Sequence, residues 1–172
     1  MKDDDPAQPL DQLLAPGDTV MIGTERPSAP AVGSISIGTI LDFRPLTVAR
    51  VHDDCIDILV DGGAEWARRF DPDDRVHVTV AKDRDNTWVS LVANGRLSTD
   101  SALIDELWNP MASAYFEDGR DTPDIAAMCI TVGDGRYWSS PSGRIGSLVS
   151  MVRALAGDPE QSGEHGDVAL RD

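Results

Sequence analysis

The chain has 172 residues, 41% of them hydrophobic, and sets thirty acidic side chains against fifteen Lys and Arg for a net charge of −15. That length suits one domain with a proper core, and the apolar content with four Trp excludes wholesale disorder. The charge disfavours nucleic acid and anionic membrane surfaces, whose phosphates it repels.

No apolar run approaches the length of a membrane span, and the opening MKDDDPAQP lacks the apolar core of a signal peptide. A soluble, cytoplasmic protein is expected. The acids are mostly Asp, and Lys2 and Lys82 are the only lysines, a skew that bears on solvation rather than on a site.

Residues 1–8 read as a flexible N-terminal tail, 9–157 as the folded domain, and 158–172 as a flexible C-terminal tail beyond Gly157 and Pro159. Pro9 to Ala15 predicts a helical turn or two, stopped by Pro16-Gly17. Strands are expected at Thr19–Ile22, Ile35–Leu41 and Leu46–Val51, and Glu25 to Gly38, rich in Pro, Ser and Gly, reads as containing a long loop. Ile56, Ile58 and Val60 alternate with Asp57 in a further strand. Ala64 to Phe70 predicts a short helix with Trp66 and Phe70 one turn apart.

After the turn Asp71-Pro72-Asp73-Asp74, Val76, Val78 and Val80 alternate with Arg75, His77 and Thr79, the pattern of a half-buried strand. Asp83 to Asn86 turns it into the strand Trp88–Ala93. Ser101 to Trp108 is a helix with Asp100 or Ser101 as N-cap and Pro110 as stop. Another strand is expected at Ala127–Val132. Ser147 to Ala156 forms a helix with Leu148, Val149, Val152 and Leu155 on one face. Many short strands with few helices predict a mainly β fold with α, an antiparallel barrel with helical attachments.

Hydrolytic machinery is hard to assemble from three His, at 52, 77 and 165. His52-Asp53-Asp54-Cys55 reads as a turn that starts a strand, because adjacent strand residues point to opposite faces and cannot converge on a metal. Cys55 and Cys129 sit among strand-like apolar residues and read as reduced core thiols. Ser142 to Ser147 is a Gly-containing helix entry, which favours capping over an anion site. Arg44-Pro45-Leu46-Thr47, with Arg50 beyond, lays an apolar strand beside a guanidinium suited to phosphate.

Together these pieces resemble the general stress protein branch of the pyridoxamine 5′-phosphate oxidase-like, FMN-binding split-barrel family, over about Leu10 to Gly157. Met21-Ile22-Gly23-Thr24 resembles the first barrel strand, Arg44-Pro45-Leu46-Thr47 the Arg-Pro-Met-Thr strand, and Ile58-Leu59-Val60-Asp61 the third strand. Leu107-Trp108-Asn109-Pro110, then Tyr115-Phe116 and Gly119 to Asp124, resemble its Leu-Trp-Asn-Pro and Phe-x-x-Gly-x-Asp-x-Pro segment. Tyr137-Trp138 resembles the late Tyr-Trp pair.

The resemblance implies an antiparallel split barrel, a homodimer with FMN at the subunit interface, and a flavin-linked oxidoreductase of open substrate connected to stress response. It implies Arg44 at the phosphate or ribityl chain, Leu46 and Thr47 along the ring, and Val60 and Asp61 on the next strand. Trp108 and Trp138 would approach from the partner subunit, or else pack in the core or dimer. One segment departs: where the family has Ser-x-Lys for the FMN phosphate, this chain has Ala64-Glu65-Trp66, leaving Arg68 or Arg69 as substitutes. Ala93 also takes the place of a usual Gly. Two readings follow, a flavin-binding protein and a non-catalytic split-barrel dimer that binds another small molecule or a protein, its flavin site degenerate.

Overall fold

The computed structural model describes residues 7–27, 39–72, 74–139 and 164–170. Among the described residues, nine strands form one sheet and three short α-helices attach to it. In chain order these are β1 (Gln8–Pro9), α1 (Leu10–Leu13), β2 (Thr19–Pro27), β3 (Thr39–Thr47), β4 (Arg50–His52), β5 (Cys55–Asp61), β6 (Asp74–Lys82) and β7 (Thr87–Ser98). Then follow α2 (Ser101–Leu107), α3 (Pro110–Tyr115), β8 (Ile125–Ser139) and β9 (Glu164–Ala169).

Antiparallel pairing carries the sheet from β3 through β2, β6 and β7 to β8. The fifteen-residue β8 pairs β5 along its first half and β9 along its last residues. β4 pairs β5, and β1 joins β9 in a parallel pair. Among the described residues no pairing closes β3 onto β4 and β5, so the barrel is split there. The chain crosses that seam at Val48 and Ala49. Their N–H groups leave the β3 ladder to donate to Asp18 O (2.9 Å) and Asp57 O (2.8 Å).

Alternation explains which face each strand buries. In β6 and β7, Val76, Val78, Val80, Val89, Leu91 and Ala93 point into the barrel with Val20 and Ile22 of β2. The middle of β5 is buried on both sides. Ile56, Ile58 and Val60 enter the barrel core, while Leu59 joins a second core with Ile104 and Leu107 of α2, Phe116, Ile125 and Ala127. The helical layer thus covers the outer face of β5 and the start of β8. Burial at this density supplies the main stabilisation, about 1.5–3 kcal/mol for each large aliphatic side chain enclosed.

Several elements differ from the sequence pattern. The expected loop from Glu25 is strand as far as Pro27, and the expected strand from Leu46 to Val51 is broken at the seam. Ala64 to Phe70 contains only a 3₁₀ turn over Ala67–Arg69. Glu164–Ala169, expected within a flexible tail, forms β9, because Val168 packs into the core under Gly135. Cys55 and Cys129 are half-buried on the outer face rather than in the barrel core. The predicted helix Ser147–Ala156, the entry Ser142 to Ser147 and most of the expected loop before β3 lie outside the described residues.

Candidate functional site

The end of β3 forms one wall of a cleft of about 300 Å³. Pro45, Leu46 and Thr47 lie along this wall, Leu59 of β5 contributes to the lining, and Met111, Tyr115 and Phe116 come from α3 and its C-terminal end. Local signals place α3. The Asn109 side chain accepts from Met111 N–H (2.9 Å) and Ala112 N–H (3.0 Å), and Pro110 fills the first helical turn, where no N–H is required. Trp108 stacks on Phe116 with ring centroids 5.7 Å apart and donates from Nε1 to Ser113 Oγ at 3.1 Å. It braces the helical wall from behind.

The cleft is apolar and has no carboxylate, Lys or His among its lining residues. Tyr115, 68% exposed, and the exposed Met111 leave its rim open.

A second cavity, of about 610 Å³, shares Tyr115 and Phe116 with the first. Asp61, Glu117, Asp118 and Asp124 line it, with Arg68 as its basic residue. Gly62 is required here: an added Cβ would come within 2.7 Å of Asp124 O, to which the Gly62 N–H already donates at 2.8 Å. That bond ties the end of β5 to the acidic turn. Thr122 Oγ1 is buried beside the same cavity with no hydrogen-bond partner among the described residues.

Arg44 lies on β3 with only 15% of its side chain exposed. Its Nη2 donates to Asp42 Oδ2 at 2.9 Å and its Nη1 to Thr24 Oγ1 at 3.1 Å. The Trp66 ring covers the guanidinium, 4.4 Å from its carbon to the ring centroid. The Trp that stands for the family's Lys therefore occupies the flat face of the Arg expected to meet phosphate. Glu65 pairs with Arg69 on the exposed side of the turn, which turns the carboxylate away and engages the Arg offered as a substitute.

The other expected residues separate into groups. Leu46 and Thr47 line the cleft, whereas Asp61 and Arg68 line the acidic cavity. Val60 is buried in the barrel core. Trp138 is exposed at the far end of β8, where it pairs across the strand with Trp88. Within one chain, then, Trp108 and Trp138 do not converge. These residues do not fit an FMN phosphate: the expected Arg is engaged and the Ser and Lys are absent.

On the outer face lies a cluster that motif reading missed. Asp57 is 2% exposed and accepts from Arg50 Nε at 2.8 Å, with Arg50 Nη2 at 2.7 Å and His52 Nε2 at 3.0 Å. Arg50 Nη1 also reaches Glu106 of α2 at 2.6 Å. Burial alone would lower the Arg50 pKa, but Asp57 and Glu106 outweigh it and raise it. Burial, and then the charge and hydrogen bond of Asp57, push the Cys129 thiol up to about 11. The only sequence signal was one Asp inside the apolar run Cys55 to Val60.

The family model described as pyridoxamine 5′-phosphate oxidase like matches residues 31–161. No curated protein matches the chain significantly. Among solved structures, general stress protein 26 from Jannaschia sp. aligns at 20% identity with a TM-score of 0.67, covering 90% of this chain and 91% of its own. A Clostridium acetobutylicum protein related to general stress protein 26 aligns at 20% identity and 0.56, covering 71% and 80%. The general stress FMN/FAD binding protein of Xanthomonas citri aligns at 22% and 0.57, covering 74% and 83%. The chain belongs to the pyridoxamine 5′-phosphate oxidase-like family, and its split barrel is shared with structures of that family's general stress proteins.

Proposed function

We propose that the protein is a ring-binding split-barrel homodimer whose ligand is a flavin-type isoalloxazine held in the cleft beside β3. The observation that carries this reading is the lining of that cleft. A strand ending in Pro45-Leu46-Thr47 and a helix presenting Met111 and Tyr115 both contribute to its mostly apolar walls. Its volume lies at the lower end of the range for small-molecule sites. The likeness to a protein described as FMN/FAD binding supports the choice of ring.

A bound flavin would supply the electron or hydride chemistry, which makes an oxidoreductase the activity to test. This chain's residues would orient the ring and exclude water. Exposed apolar residues favour a second copy as its cover: Met111 and Tyr115 at the cleft, with Met21, Leu41 and Phe43 farther along β2 and β3. A dimer interface there would complete the site.

The test is titration of flavins into the purified protein, followed by quenching of their fluorescence. Saturable quenching with one ring per subunit is expected. No quenching by any flavin at high protein concentration, in a folded dimer, would transfer support to the non-catalytic binding reading.

A further inference from the structure

We infer that this site takes a planar ring without a phosphate, a neutral polyol-bearing flavin such as riboflavin rather than FMN. The inference rests on the ring-binding reading above and names the ligand class of the same cleft.

Three observations carry it. The first is the state of Arg44, whose guanidinium already donates to Asp42 and Thr24 and lies under the face of Trp66. A phosphate would have to displace Asp42 from a largely enclosed group. The second is the cavity that shares Tyr115 and Phe116 with the cleft, where four carboxylates and Arg68 make up the charged lining among the described residues. A dianion entering it meets like charge with too little compensation. The third is the turn after β5, where Ala64 and Trp66 offer a phosphate neither a hydroxyl nor an ammonium. A ligand hydroxyl, which can both donate and accept, needs no such cation. The hydroxyls of a polyol chain can also donate to the carboxylates that repel a phosphate.

The experiment compares riboflavin, FMN and lumiflavin (the ring without the polyol) on the full chain by fluorescence quenching at low and high salt. Riboflavin is expected to bind about tenfold tighter than FMN or more, a gap worth roughly 1.4 kcal/mol, and to bind tighter than lumiflavin. The gap to FMN should shrink with added salt as the carboxylates are screened. A double variant, Glu117→Gln with Asp118→Asn, changes exposed side chains and should tighten FMN while leaving lumiflavin unchanged. FMN binding as tightly as riboflavin overturns the inference, as does lumiflavin binding tighter than riboflavin. Absence of binding by all three overturns the ring-binding reading itself, so the two failures are distinguishable.

Discussion

Asp57 and Cys129 face each other across the β5–β8 pair, and burial, followed by the charge and hydrogen bond of Asp57, raises the thiol pKa. The folded protein holds the Cys129 proton more tightly than the unfolded chain, its pKa rising from 9.0 to about 11. The stability from this shift is fully present below pH 9 and is lost as pH rises through about 11. Alkylation of Cys129 by iodoacetamide should therefore stay slow through pH 9 and accelerate only towards pH 11, followed by mass spectrometry. Asp57→Asn should move that curve to lower pH. It should also lower stability by roughly 1.5–3 kcal/mol in urea unfolding, because Arg50 loses its charged acceptor. An unchanged alkylation profile would show that Asp57 does not act on the thiol.

The caps of α2 and α3 are local, and the first of them is legible in the sequence. Asp100 accepts from Ala102 N–H at 3.0 Å, as its position before an apolar-periodic run suggests. Asn109-Pro110, expected as a stop, also starts the next helix, because Asn109 caps α3 while Pro110 supplies its first helical residue. Asn109→Ala should cost about 1 kcal/mol of stability and loosen the wall that carries Met111 and Tyr115. The readout is a lower thermal midpoint together with weaker ring binding. A lost midpoint with unchanged binding would separate α3 from the cleft. β9 was not legible in the same way: six residues with little apolar pattern become a strand because β8 continues far enough to pair with them.

At the scale of the molecule, a charge of −15 opposes association of two copies, while an apolar rim around the cleft favours it. Light scattering should give a dimer at about 0.15 M salt, and its dissociation constant should fall as salt rises and screens the like charges. A monomer under both conditions would contradict a pocket completed by the partner. No helix among the described residues is long and apolar enough to cross a membrane.

Most of the antiparallel strands, the Asp100 cap and the order of aromatic, Pro and acidic residues that marks the family are legible in the residues alone. Such signals are complete within a few residues, since strand period and capping bonds need only near neighbours. The fate of the site residues depends on contacts that form only in the folded chain. Trp66 covers Arg44, twenty-two positions earlier in the chain, and Asp61 meets the turn that ends at Asp124. Those meetings depend on the registers that pair β2 with β3 and β5 with β8, and on the turn that follows β5. Strand register is fixed by the whole buried face at once, so no local stretch of residues discloses it.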